Sequence, residues 1–227
     1  MKRTQAGRLC HRGGSVVRVE TIKESIRVEI DRSPRLSADE DAIDAAWREL
    51  CAHNPRYFNG PILAFDSYDA ITGVVHASIE QYKHHAVRDE IDVGLSLLAV
   101  TGILVARDEC GHKRVLLGKR SPSTHRCGNL WEFGPSGGID VPEAPTNTLD
   151  LDAIVREIGR ETIEECGITI ADCAATPIAV VHDDAVGSTD LAIMIDLGEI
   201  PPIEHGWEYL ECRWVDADTL NGWTPIR

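Results

Sequence analysis

The longest apolar run, "VGLSLLAVTGILVA" at 93–106, is the feature that most limits what this chain can become. It is shorter than the roughly 20 residues a bilayer-spanning helix requires. It also contains Ser96, Thr101, Gly94 and Gly102, so it reads as a strand buried in a sheet. A second apolar run, "KRVLLGKR" at 113–120, follows across the turn "DECGH", which sets two neighbouring strands side by side. Further strands are predicted at 25–30, 176–182, 190–197 and 208–215, and a helix over 150–166. "SADEDAIDAAWRELCAH" at 37–53 opens with Ser37 and a Glu three places on, and turns Ile43, Ala46, Trp47 and Leu50 to one helical face. Residues 60–82 give two strand-like runs around a turn, a hairpin. The order predicts an α/β fold with a mixed sheet, preceded by a strand-helix-hairpin extension. The expected divisions are a basic flexible tail at 1–18, an α+β extension at 19–92 and the main domain at 93–227.

The chain has 227 residues and a net charge of −14, while residues 1–18 carry five basic and no acidic residues. The remainder is therefore strongly acidic, which disfavours nucleic acid and anionic membrane and favours metal cations as partners. The basic start lacks an apolar run and does not read as a secretory signal, so the expected location is the cytoplasm. Seven cysteines without a C-x-x-C pair argue against a disulfide framework or a zinc ribbon. Cys51/His53 and Cys110/His112 each stand two apart, and the expectation for both pairs is ordinary surface or buried residues.

Projected at 100° per residue, helix 150–166 puts Val155, Ile158, Gly159, Thr162 and Cys166 on a packing face. Glu157, Glu161, Glu164 and Glu165 share the other side. Like charges at these spacings repel, and they sit at the negative end of the helix dipole. No lysine relieves them. A solvated acidic face is the plain reading; a divalent cation is the alternative that removes the conflict directly. Magnesium takes one or two protein carboxylates and completes its shell with water and phosphate oxygens, so the stripe points toward phosphate chemistry.

"REtiEEcGi" at 160–168 resembles the core of the Nudix box, the signature of hydrolases that cleave a nucleoside diphosphate linked to another group. "LLGKRS" (116–121) and "NLWEFGPSGG" (129–138) resemble the strand and Gly-Gly loop that precede it, and the likeness covers about residues 95–220. The resemblance implies a Nudix-type α/β/α sandwich. It also implies magnesium, or manganese, held by Glu161, Glu164, Glu165 and the Gly138 carbonyl, with Arg160 and Asp152 orienting the glutamates. Three departures stand out: Gly138 lies fourteen residues before Asp152 instead of the usual six, Thr162 replaces an aliphatic residue, and the chain ends with little room for a final covering helix. Glu157, Glu165 and Glu208 are the candidate general bases.

The extension, through "NPRYFNGPILAFDSYDAITGVVHASIEQY" at 54–82, loosely resembles that of UDP-glucose/UDP-galactose pyrophosphatases, which suggests a UDP-sugar cleaved to UMP and a sugar 1-phosphate. Completion of the fold or a homodimer contact is an equally good reading of that segment. Alternatives of function are an ADP-ribose or NTP pyrophosphatase, or a catalytically silent nucleotide-binding module. Arg120 suits a phosphate and Trp131 a nucleobase or the core, while Gly137 and Asp190 complete the expected substrate contacts. His182, Asp183 and Asp184 flank a loop that reads equally as substrate-facing or as a solvated turn. "GPSGG" at 134–138 also fits a serine nucleophile elbow, but Pro142 and Pro145 follow where that elbow needs a helix.

Overall fold

A computed structural model describes residues 7–10, 16–22, 24–33, 39–54, 57–91, 93–124 and 127–222. The chain divides into two compact units, each assembled from three stretches. The first comprises Met1–Ala99, Gly138–Leu151 and Val180–Asp190; the second comprises Val100–Gly137, Asp152–Ala179 and Leu191–Arg227. The strands pair in both parallel and antiparallel senses and are accompanied by helices, which makes this an α/β fold with a mixed sheet.

In the first unit, β1 (Gly7–Cys10) and β2 (Val16–Thr21) pair antiparallel, with Leu9 opposite Val17. Part of the segment expected to be a flexible tail is thus laddered backbone, consistent with the β-branched run Val16, Val17, Val19. Residues 1–6 and 11–15 of that segment lie outside the described residues, as does the expected cap Ser37. β3 (Arg27–Asp31) buries Val28 and Ile30 and exposes Arg27 and Asp31, the alternation of a half-covered strand. Helix α1 (Glu40–His53) starts at Asp39, whose Oδ1 accepts the Ala42 N–H at 3.2 Å. The cap is therefore Asp39, two residues past the serine that the sequence suggested. Ile43 and Ala46 of α1 are buried, with Trp47, Leu50, Val87, Ile91 and Val93 packed around them.

β4 (Pro61–Asp69) and β5 (Val74–Gln81) form the expected hairpin. Its turn is held by Asp69, which accepts from the Ile71 N–H and the Thr72 hydroxyl, each at 2.8 Å. Gly73 has φ +69° there, and a Cβ would strike the Ser25 carbonyl. The α1 connection lets β3 run parallel to β5. β6 (Ser96–Arg107) pairs with β4 through Leu97 and Ser96, and β10 (Thr148–Leu149) pairs with β3, giving the local order β6-β4-β5-β3-β10. Short helix α2 (Tyr82–Ala86) follows β5, and its Lys83 Nζ reaches Glu40 at 2.8 Å and Asp44 at 2.6 Å on α1.

The second unit centres on β7 (Lys113–Arg120). β13 (Tyr209–Asp216) lines one side of it along its whole length; β6 and then β8 (Trp131–Phe133) occupy the other. Val115, Leu116 and Leu117 are buried in succession, the mark of a strand covered on both faces and the reason this run is uniformly apolar. β9 (Ser136–Gly138) is a short strand on β6. β11 (Ala174–Asp183) and β12 (Ser188–Glu199) complete the strands, and a 3₁₀ turn spans Ala217–Gly222.

Helix α3 (Leu151–Cys166) packs through Ile154, Ile158, Thr162 and Cys166, four residues in i,i+4 series and each fully buried. Ile154 takes the place that the projection gave to Val155, which is half-buried. The helix ends at Gly167, φ +67°, with the Gly167 N–H donating to the Ile163 carbonyl and the Ile168 N–H to the Thr162 carbonyl. The first of these bonds, from left-handed Gly167 to the carbonyl four residues back, is an αL cap, with Ile168 buried behind it. The Cys166 and Glu165 carbonyls accept from the N–H groups of Glu204 and Gly206, each at 2.9 Å.

Candidate active site

The C-terminal half of α3 carries the carboxylates, and its phase on the packing face decides which are covered. Glu165 neighbours the buried Cys166 and is only 2% exposed, against the expectation that it shares an open acidic face. Its Oε2 accepts the Ser136 N–H at 3.1 Å, while its Oε1 is buried with no hydrogen-bond partner among the described residues. Burial, then the negative charge of Glu208, holds its carboxyl well above the usual range. Glu161 lies beside Gly137, where a Cβ would displace its carboxylate from this position. Burial pushes the Glu161 carboxyl up to about 7, against the pull of Arg160. Glu164 is 64% exposed.

Arg160 organises the group. Its guanidinium reaches Glu161 at 2.7 Å, Glu164 at 3.4 Å and Glu157 at 3.5 Å. Asp152, expected to help orient the site, sits exposed in the first turn, about 12 Å back along the axis from Arg160, whereas Glu157 stands within 3.5 Å of the guanidinium. Glu208 is half-buried and close enough to raise both Glu161 and Glu165 electrostatically.

Other expected site residues are committed elsewhere. Arg120 donates to Glu132 Oε1 at 2.8 Å, and its Nε is buried without a partner among the described residues. Trp131 has one face covered by the Arg213 guanidinium, 5.3 Å from the ring centre. Gly138 and Asp190 belong to the first unit, where Asp190 accepts from the Ser188 hydroxyl at 2.7 Å. His182, read as part of a substrate-facing loop or a solvated turn, is neither: it is buried between Thr189 Oγ1 and Glu20 Oε1, each at 3.1 Å, and against the Phe65 ring. Ser136 lies in β9 with no helix directly after it, so the nucleophile elbow is absent.

Two residues were not anticipated. Tyr209 is buried and donates to Glu132 Oε1 at 3.2 Å, its ring occupying space that Gly118 and Gly134 leave open. Glu132 therefore joins Arg120 and Tyr209 next to Glu165; burial raises the tyrosine hydroxyl above its ordinary value, and the Glu165 charge adds to it. The only sequence signal was the pair of glycines in otherwise ordinary strand and loop segments.

The donor set fits a divalent cation. A buried carboxylate oxygen without a partner, beside a second half-buried carboxylate, with one arginine shared among three glutamates, leaves negative charge that a cation would compensate. Glu165 Oε1 and Glu161 are buried or nearly so, while Glu164 is the exposed carboxylate of the three. Among the described residues, one set of three donor atoms lies mutually within 4.8 Å, that of Asp108, Cys110 and His112; the α3 glutamates stand further apart.

No family model matches the chain, and no curated protein matches it in sequence. Comparison with solved structures gives Nudix proteins. These include a Nudix hydrolase from M. smegmatis, RenU, at 25% identity over 55% of this chain and 73% of that one, with a TM-score of 0.42. A MutT protein from Methanosarcina mazei Go1 is similar at 20% identity over 58% and 85%, TM-score 0.40. The NUDIX domain of Shewanella oneidensis NrtR, solved with ADP ribose, is similar at 18% identity over 56% and 77%, TM-score 0.40.

Proposed function

We propose that this protein is a divalent-cation-dependent hydrolase of the pyrophosphate bond in a nucleoside diphosphate linked to another group, with a UDP-sugar as the substrate class. The observation that carries the reading is the Glu165 carboxylate, buried with Oε1 unpartnered and Glu161 beside it. Burying such a group without compensation costs several kcal/mol, so an arrangement of this kind is retained where a cation is bound. Magnesium, or manganese, would be held by Glu161, Glu164 and Glu165. When bound, the cation supplies charge neutralisation on the diphosphate and a more acidic water.

The chain's own residues set the frame for that chemistry. The Ser136 N–H fixes Glu165 Oε2 and thereby aims Oε1. Arg160 holds the Glu161 and Glu164 rotamers, and Glu157 steadies Arg160 in the role first given to Asp152. Gly137 lets the loop backbone approach the carboxylates. Glu208 is the candidate to accept the proton of the attacking water, being half-buried beside the glutamates yet off the helix; Glu157 and Glu165 are engaged in positioning. Trp131 remains the candidate base contact. The uridine and sugar preference rests on the resemblance of the 54–82 segment.

A second reading has its own observation. Arg160 already neutralises part of the Glu161 and Glu164 charge, as in a site that binds nucleotide without turning it over.

One experiment separates the two. Purified protein is incubated with magnesium and UDP-sugars, ADP-ribose and NTPs, and the products are read by mass. Magnesium-dependent release of UMP and sugar 1-phosphate is expected, with Glu165→Gln and Glu161→Gln each lowering kcat at least about 100-fold. Nucleotide binding without turnover by the wild type would establish the silent module instead.

A further inference from the structure

We propose that the turn joining β6 to β7 is a zinc site whose ligands are Asp108, Cys110 and His112. The sequence offered only the two-residue spacing of the cysteine and the histidine. The fold adds the carboxylate and brings a donor atom from each residue within 4.8 Å of the others. Thiolate, imidazole and carboxylate together are a zinc set, and three protein ligands leave the fourth tetrahedral position to water. Donors around a tetrahedral zinc stand roughly 3.5 Å apart, so small side-chain rotations close the site.

The backbone is already shaped for it. Asp108 Oδ1 accepts the N–H groups of Cys110 at 3.0 Å and His112 at 2.9 Å, leaving Oδ2 on the side of the ring nitrogen of His112, 3.5 Å away. The Gly111 N–H donates to the Asp108 carbonyl at 2.8 Å, and Gly111 takes φ +80° with no atom within 4 Å of the Cβ position, so the turn is tight and open to solvent. Cys110 and His112 are exposed, which gives an ion a direct path.

The competitor is Arg114, which grips Asp108 Oδ2 at 2.7 and 2.9 Å. It has a second carboxylate within reach, Asp216 Oδ2 at 3.7 Å, and zinc binding would shift the guanidinium toward it. Arg107 bonds the Gly111 carbonyl at 3.3 Å, on the backbone of the turn. Ligation releases the Cys110 thiol proton to solvent and forms the metal–sulfur bond, with no change of oxidation state.

The test uses the full-length protein in excess magnesium, which occupies the carboxylate site on α3. Zinc is titrated in competition with a chromogenic chelator, and cobalt is added separately as a spectroscopic substitute. One equivalent of zinc is expected to bind, with a thiolate-to-cobalt band in the near ultraviolet. Cys110→Ser should abolish the band, and Cys110→Ser and His112→Ala should each weaken zinc at least about tenfold. Cys127→Ser, at another exposed cysteine, should change neither. Zinc affinity and the cobalt band both unaltered in Cys110→Ser and His112→Ala, or no zinc bound by the wild type, would overturn the assignment. Magnesium-dependent turnover is expected to survive both substitutions, so failure here leaves the hydrolase reading standing.

Discussion

At the scale of single residues, the site is decided by what covers a side chain, and Tyr209 shows it best. Its ring fills the space beside Gly118 and Gly134, and its hydroxyl meets Glu132. Gly118→Ala would force a methyl into that ring and is expected to destabilise the protein by about 1–3 kcal/mol in denaturant unfolding. Tyr209→Phe keeps the packing and should cost about 1 kcal/mol, while unchanged stability in Gly118→Ala would contradict a steric role for the glycine. The glutamates and Arg160 were legible in the sequence because their crowding at a helix end has few physical excuses. The depth of Glu165 was not, since a helical projection gives the angle of a side chain and not what lies opposite. Arg120 likewise read as a phosphate ligand because nothing local reveals Glu132 twelve residues on.

At the scale of elements, strands and helices followed their periodicity closely and their ends less so. The helix predicted over 150–166 forms as Leu151–Cys166, while α1 is capped two residues beyond the serine expected for that place, because Asp39 offers the same capping oxygen nearer the apolar stripe. The end of α3 depends on Gly167, where a Cβ would meet Glu204 and the backbone is left-handed. Gly167→Ala is expected to cost about 1 kcal/mol or more, read as a lowered denaturation midpoint. The turn after β4 gives a pH signature. The Ile71 N–H and then the Thr72 hydroxyl hold the Asp69 carboxyl below its ordinary value. A depressed carboxyl contributes stability that is present above the unfolded value of about 3.9 and is lost as pH falls through the folded one. The stability gap between wild type and Asp69→Ala should therefore be widest near neutrality and narrow as pH falls below about 4; a gap independent of pH would contradict the assignment.

At the scale of the whole molecule, the mixed sheet and the strand-helix-hairpin start were foreseeable, because each strand announces itself locally. The way the chain is shared between two units was not. Local pattern suggested a division near residue 93, whereas the compact units divide β6 itself and draw on three stretches each. A fragment beginning at residue 93 keeps Thr148 and Leu149 but lacks β3, the strand they pair with. It also keeps Ser96 and Leu97 without their β4 partners. Such a fragment is expected to melt without a cooperative transition, and a sharp one followed by near-ultraviolet circular dichroism would show that the first ninety residues are dispensable. No described helix is long and apolar enough to cross a membrane. The threefold weaving of each unit has a plain outcome for a protease: one cut at any exposed loop leaves both halves of the chain still woven into the first unit or the second, so nicked protein should elute with the intact form and part only in denaturant.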